Sequence, residues 1–129
     1  DGTVLVEPII CKPETKATLN QNLLAFHTGI RGQSDAVLTE QRSKTAERRE
    51  QLDRMVAYAQ EMRSALQANN LDRFGRLLHE NWVLKQTLAG NITNPTLSAH
   101  YAKAIAAGAA GGKILGAGGG VFLLFYCEP

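Results

Sequence analysis

A glycine-rich segment near the carboxyl end of the chain is the part of the sequence best suited to binding an anion. It spans residues 111–120 and leads directly into the apolar residues 121–127. Glycines in left-handed conformations let neighbouring backbone N–H groups point at one ligand, and the missing side chains let that ligand approach closely. The segment therefore predicts a loop that holds a phosphate or an oxyanion. A tight turn, at which other elements pack against bare backbone, is the alternative that the glycines alone leave open.

Two common nucleotide-binding motifs do not fit this segment. A P-loop needs a glycine five positions before the one that precedes its lysine, and a serine or threonine directly after that lysine. Ala107 and Ile114 occupy those positions here. A dinucleotide-binding turn needs a strand before its glycines and a helix after them, whereas here a strand-like stretch follows the glycines. The segment is therefore neither motif.

Charged side chains near this segment could complete a phosphate site. Lys113 stands at its entrance and could hold a phosphate oxygen as a point charge, although a solvated lysine fits equally well. Glu80 and Lys85 lie on a predicted helix at positions about 140° apart around its axis, so they do not pair with each other. One of the two could face a ligand while the other is solvated.

The histidines and the tryptophan have structural interpretations. His79 lies beside an apolar helix face, where a structural histidine is more common than a catalytic base. Trp82 is expected in the core. His27 and His100 carry no functional prediction.

The composition is that of an ordinary globular domain. The chain has 129 residues, 44% of them hydrophobic and 20% charged, with a formal net charge of +2. That charge is too small to indicate nucleic acid, and the basic residues at 42–54 are interleaved with acidic ones. No stretch approaches the roughly 18 apolar residues of a membrane span, and no signal peptide opens the chain. Cys11 and Cys127, in apolar strand-like surroundings, suit a reducing compartment. We predict one cytoplasmic domain over residues 1–129, with no nucleic-acid, membrane or metal partner.

Strand and helix signals place the candidate residues on elements. Residues 4–10, which include Pro8, are typical of an edge strand, and residues 23–27 of a second strand. After a polar loop, Ser34 or Asp35 can cap a long helix with one apolar face. The residues of that face are Leu52, Met55, Val56, Ala59, Met62 and Leu66.

Two further helices follow Asn69 and Asn70, which break the long helix and can cap the next one. The first carries apolar residues on one face and ends at Gly90. The second has Asn94 as its cap and Pro95 at its first position, and it ends at Gly108.

The order of these elements predicts the fold class. Residues 121–127 are apolar on both faces, which indicates a central, buried strand. Because helices and strands are segregated along the chain, an α+β fold is favoured over a doubly wound parallel sheet. The chain opens on strand-like residues and stops directly after its most apolar strand, so we expect a fragment of a larger protein.

Taken together, residues 77–82, residues 92–94 and the glycine-rich segment resemble the C-terminal domain of the GHMP small-molecule kinases. This superfamily includes galactokinase and the homoserine, mevalonate and phosphomevalonate kinases. Within it, residues 108–127, residues 28–29 and residues 38–41 are most similar to the kinases of D-glycero-D-manno-heptose 7-phosphate. The resemblance covers nearly the whole chain. It implies a ferredoxin-like layer of antiparallel strands with helices packed on one face.

The resemblance also implies a reaction. It is ATP-dependent phosphorylation of the anomeric hydroxyl of a heptose 7-phosphate, a positioning reaction in which charge stabilisation does most of the catalysis. ATP, Mg²⁺ and the catalytic residue are then held mainly by an N-terminal kinase domain that this chain lacks. The chain would supply one wall of the substrate cleft and be inactive alone, and an uncovered cleft face could allow a homo-oligomer.

The residues that this resemblance assigns to the substrate or its phosphates lie in three parts of the chain. The loop with Arg31 suits the remote phosphate of the sugar, because a guanidinium binds phosphate through two N–H groups, although a surface arginine is nearly as common. The full set is Thr28, Gly29, Arg31, Glu80, Lys85, Lys113, Gly116, Ala117, Gly118, Gly119 and Gly120.

One residue departs from the family pattern. Val121 stands where the family usually has glycine, and a positive φ at this position would strain a β-branched residue. A strand that begins one residue earlier is the alternative. Two other functions therefore stay open: a GHMP kinase for a different small alcohol, and a non-catalytic binding or oligomerisation module with the same fold.

Overall fold

The chain folds into helices and a small antiparallel sheet. The computed structural model describes residues 2–32, 34–120 and 122–128. The elements within these ranges are α1 (Pro13–Asn22), β1 (Leu23–His27), α2 (Ser34–Ser43), α3 (Arg49–Gln67), α4 (Leu71–Lys85), α5 (Pro95–Ala106), β2 (Ala109–Ile114) and β3 (Phe122–Cys127). The α+β fold class is confirmed. The predictions made for Val121 concern a residue outside the described ranges.

Strand β3 lies between β1 and β2 and is antiparallel to both. Its residues Leu123, Phe125 and Tyr126 are buried, as predicted for an apolar central strand. His27 pairs with Phe122, and Ile114 pairs with Leu123. The carboxyl ends of β1 and β2 therefore meet the start of β3 at one end of the sheet.

The predicted edge strand at residues 4–10 is wrong for the described part of the chain. These residues form no strand, and Val4 and Val6 are 82% and 89% exposed. Apolar β-branched residues favour extended backbone, but a strand also needs a neighbour for its hydrogen bonds, and none lies beside this segment. Glu7 pairs with Arg63 of α3 at 2.5 Å and ties the segment to that helix.

Helix α1 was not predicted, because its sequence is polar on every side and shows no apolar stripe. Pro13 at its start is compatible with the first helical turn. Polar contacts hold the helix in place. The Thr15 hydroxyl donates to Asn69 Oδ1 at 2.6 Å, and the Asn22 amide donates to the Tyr126 hydroxyl at 3.3 Å. Cys11, which precedes α1, therefore does not lie in a strand.

The single long helix predicted after residue 34 is wrong, since a turn at residues 44–48 separates α2 from α3. Two hydroxyl groups bond to backbone carbonyls at the start of this turn. Ser43 Oγ donates to the Glu40 carbonyl oxygen at 2.8 Å, and Thr45 Oγ1 donates to that of Gln41 at 3.0 Å. Such bonds compete with helix continuation.

The caps predicted for the last two helices are confirmed. Asn70 Oδ1 accepts from the Arg73 N–H and Asn94 Oδ1 from the Leu97 N–H, both at 2.9 Å. Helix α4 ends at Lys85 rather than at Gly90. The Gly90 N–H instead donates to the Glu40 carboxylate at 3.0 Å.

The first four residues of the glycine-rich segment, 111–114, belong to a strand that was not predicted. A Cβ atom at Gly111 would overlap the Gly75 carbonyl oxygen of α4, and one at Gly112 would overlap the Phe125 ring. These two glycines therefore serve close packing between β2 and its neighbours, which is the alternative interpretation of glycine runs. Only residues 115–120 form a loop.

The core lies between the sheet and helices α2, α4 and α5. Trp82 belongs to it, as predicted, together with Val37, Leu88, Ala89, Ile92, Leu97, Tyr101, Ala109, Ile114, Leu123 and Phe125. Among the described residues, no helix combines the length and apolar character needed to cross a bilayer.

Candidate anion site at the glycine loop

The loop at residues 115–120, here called the glycine loop, joins β2 to β3. The Leu115 N–H donates to the Phe122 carbonyl oxygen at 3.0 Å and closes the hairpin. Gly116, Gly118, Gly119 and Gly120 have φ angles of 80°, 138°, 78° and 117°. L-residues with side chains rarely adopt these values, so the loop depends on glycine.

One side of the glycine loop packs against the connection between α4 and α5. The Gly119 N–H donates to the Ile92 carbonyl oxygen at 2.9 Å. A Cβ atom at Gly118 would lie 3.0 Å from the Ile92 Cα atom, so a side chain there would displace this connection. Ile92 is fully buried and fixes the middle of the loop.

The other two contacts come from the β1 side and from α4. A Cβ atom at Gly120 would lie 3.0 Å from Ile30 Cγ2, in the polar loop that follows β1. Lys85 Nζ, on the last turn of α4, donates to the Gly116 carbonyl oxygen at 2.6 Å. The glycine loop is thus held from three directions. Within the described residues, the N–H groups of Gly116, Ala117 and Gly118 have no hydrogen-bond partner.

Lys113 faces the same helix as Lys85. Helix α4 runs beside β2, with Gly75 against Gly111 and Lys85 against Gly116. Side chains two residues apart on a strand share a side, so Lys113 lies on the α4 side together with Gly111. Burial, and then the charge of Lys113, lower the pKa of Lys85 to about 8.

Glu80 does not reach the glycine loop, so the predicted set is not brought together in full. Its carboxylate accepts a hydrogen bond from Arg73 at 2.8 Å, and Arg73 also donates to Glu61 of α3 at 2.8 Å. The hydrogen bond to Glu61, and then the one to Glu80, raise the pKa of Arg73. Glu80 is therefore part of a contact between α3 and α4.

Thr28, Gly29 and Arg31 lie at the loop's end of the sheet but on the β1 side. Thr28 Oγ1 accepts from the Ile30 N–H at 3.2 Å, and the Gly29 N–H donates to His27 Nδ1 at 3.3 Å. Gly29 has a φ of 72°, which favours glycine in this turn. Arg31 is exposed. Two strand spacings, about 10 Å, separate this side from the Lys113 side.

Sequence reasoning missed the groups that position this site. His79 Nδ1 lies 2.9 Å from the Tyr101 hydroxyl, which donates to the Gly112 carbonyl oxygen at 3.3 Å. Burial raises the pKa of Tyr101 to about 12, so it stays a donor. His79 is therefore structural, as expected. Ile30 and Ile92 could have been noticed as isolated apolar residues in polar connections, which usually anchor loops.

Known proteins match both the sequence and the fold. The profile of the family described as "GHMP kinases C terminal" matches residues 62–126. The D-glycero-alpha-D-manno-heptose 7-phosphate kinase of Campylobacter jejuni is 26% identical, with 98% of the chain aligned. The crystal structure of L. major mevalonate kinase in complex with R-mevalonate superposes with a TM-score of 0.72 over 83% of the chain, at 22% identity. At that identity the mevalonate kinase shows the fold alone.

The chain is much shorter than these relatives. It spans 38% of the Campylobacter protein and 33% of the L. major protein. The activities of those whole enzymes can therefore only be proposed for this chain.

Proposed function

Because the chain belongs to the GHMP kinase C-terminal family, we propose that it is the substrate-side domain of an ATP-dependent sugar kinase. The proposed substrate is D-glycero-D-manno-heptose 7-phosphate. Its anomeric oxygen forms a bond to the γ-phosphorus of ATP while the bond to ADP breaks, and the hydroxyl proton is released. The observation that carries the proposal is the alignment of 98% of the chain with a heptose 7-phosphate kinase at 26% identity.

The geometry of the site supports a substrate with an anionic group at one end and a reacting hydroxyl at the other. Arg31 follows β1 and Lys113 lies on β2, and these two strands are about 10 Å apart on opposite sides of β3. In our proposal, Arg31 with Thr28 and Gly29 receives the phosphate already on the sugar. Lys113 and the N–H groups of residues 116–120 then lie near the phosphoryl group being transferred.

We assign ATP and Mg²⁺ mainly to a kinase domain outside this chain. Among the described residues, no cluster of three or more histidine, cysteine or acidic side chains is arranged to hold a metal ion. The donor set around the glycine loop is two lysines and backbone N–H groups, which bind anions and not cations. This chain therefore orients the sugar phosphate and stabilises negative charge. A cytoplasmic enzyme, and a domain in one piece over residues 1–129, remain part of the proposal.

The proposal is tested by comparing this chain with the intact protein that joins it to an N-terminal kinase domain. ADP release is measured with heptose 7-phosphate, with mevalonate and with galactose. We expect release with heptose 7-phosphate from the intact protein and none from the chain alone. ADP release with mevalonate or galactose instead would identify that alcohol as the substrate in place of heptose 7-phosphate. A folded intact protein that releases no ADP with any of them would favour a non-catalytic module.

A further inference from the structure

Two lysines lie on facing elements beside the glycine loop, and no described carboxylate forms an ion pair with either. Lys85 comes from the last turn of α4, and Lys113 comes from β2, on the side that faces α4. Within the described residues, neither forms an ion pair, although Arg49, Arg54, Arg63, Arg73 and Arg76 all do. Two unneutralised ammonium groups in one place favour the binding of an anion.

The packing of α4 on β2 brings these lysines together. Ten residues of helix separate Gly75 from Lys85, about 15 Å, and the five residues from Gly111 to Gly116, which leave β2 after Ile114, cover about 16 Å if the chain stays extended. The two lengths match, so close contact at Gly75 and Gly111 sets Lys85 beside Gly116. Lys113 lies between these two contacts. Both lysines are thus carried by regular elements, α4 and β2.

We propose that Lys85 and Lys113 bind one phosphate group between them, and that Lys85 Nζ must be protonated in the complex, so that in alkaline solution it takes up a proton from solvent as the phosphate binds. This inference rests on the proposed function, which brings a phosphorylated substrate to the glycine loop. Lys85 Nζ donates to the Gly116 carbonyl oxygen. The bound dianion then supplies the opposite charge that this part of the protein lacks, which stabilises the charged form of Lys85.

The proton uptake follows from the surroundings of Lys85. Burial is the larger cause that lowers the pKa of Lys85 to about 8, and the positive charge of Lys113 on β2 is the second cause. The glycine loop carries no ionisable side chain. On α3, Glu61 is paired with Arg73, which also neutralises Glu80 on α4 itself. A phosphate monoester is already a dianion above pH 7, so its own titration lies outside the relevant range.

The sign of the pH dependence is determined by this pKa. Below pH 8 the free protein already carries the charge on Lys85, and the phosphate binds without proton uptake. Above pH 8 the free protein has lost that proton, so binding must restore it and the affinity falls. The fall approaches tenfold for each pH unit above pH 8.

The test uses the intact protein and the variants Lys85→Met, Lys85→Arg and Lys113→Met. Lys103→Met is the matched control, because Lys103 is exposed on α5. KM for the sugar phosphate and KM for ATP are measured from pH 7 to pH 9. We expect the wild-type KM for one of them to rise about fivefold between pH 8 and pH 9, since the protonated fraction of Lys85 falls from about one half to about one tenth. Lys85→Met should raise that KM at pH 7 and remove its pH dependence, while Lys85→Arg should keep it low at pH 9.

The substrate whose KM responds identifies the source of the phosphate, either the sugar or the nucleotide. Isothermal titration of the intact protein with sulfate, a dianion throughout this range, provides a readout independent of turnover. It should show tighter binding at pH 7 than at pH 9, and equal binding at both for Lys85→Met. If sulfate binding is unchanged in Lys85→Met and Lys113→Met, the inference is overturned, whatever the substrate. If sulfate behaves as expected while heptose 7-phosphate is not phosphorylated, only the proposed function fails.

Discussion

At the scale of single residues, the glycines of this chain have two different physical roles. Gly111 is required because the Gly75 carbonyl oxygen occupies the space of a side chain. A Cβ atom added at Gly116 would meet nothing within 4 Å, yet the φ of 80° at this residue favours glycine. The sequence shows only that glycines cluster here. It does not reveal which of them face a helix and which form a loop, since that depends on packing between distant segments.

Gly111→Ala is expected to destabilise the protein by about 3 kcal/mol, because the added methyl group must push α4 away from β2. Gly90→Ala is the control, since its added carbon would meet its nearest neighbour at an ordinary 3.7 Å. Urea unfolding gives both values. A Gly111→Ala protein within ~0.5 kcal/mol of wild type, the usual range for surface changes, would contradict the close packing.

At the scale of elements, predictions succeeded where a local signal was strong. Asn94 followed by Pro95 gives the start of α5, and a run of consecutive apolar residues gives β3. Helix α1 was missed because its polar sequence carries no periodic signal, and β2 was missed because glycine and alanine have weak strand preference. These two elements depend on tertiary partners. The sequence places the candidate site at the glycine loop and at Lys113, which stays a prediction, and it does not reveal that Glu80 pairs with Arg73 on the same helix.

Asn94→Ala is expected to lower the free energy of unfolding by about 1 kcal/mol, because the Leu97 N–H loses its cap. Asn94→Asp keeps an acceptor at this position and should stay close to wild type. Thermal or urea unfolding of both variants measures the difference. Equal losses in the two variants would mean that the side chain acts through something other than the cap.

At the scale of the whole molecule, the apolar residues before α1 are the part of the chain that this fold leaves uncovered. Val4, Leu5 and Val6 are each more than 80% exposed, whereas the sheet and helices bury most of their own large apolar residues. The relatives are longer than this chain, and it spans 38% of the Campylobacter protein. An exposed apolar segment of this kind usually contacts another surface.

We expect the amides of residues 4–10 to exchange with solvent within seconds in this chain alone and much more slowly in the intact protein. The reason is that a strand partner would supply the hydrogen bonds that the segment lacks here. Hydrogen–deuterium exchange followed by mass spectrometry makes the comparison, with residues 122–127 as an internal reference. Equal exchange rates in both proteins would show that the intact protein leaves this segment uncovered.

The close approach of Gly75 and Gly111 makes two residues that lie far apart in the sequence depend on the same contact. A side chain at Gly111 would collide with the Gly75 carbonyl oxygen, and one at Gly75 would collide with Tyr126 and Ala110, so a change at one glycine cannot compensate for a change at the other. A methyl group at Gly75 would tilt α4, and Lys85 lies on the same helix about 15 Å away. Random mutagenesis should therefore recover loss-of-function changes at Gly75, which lies in the middle of α4, as readily as in the glycine loop.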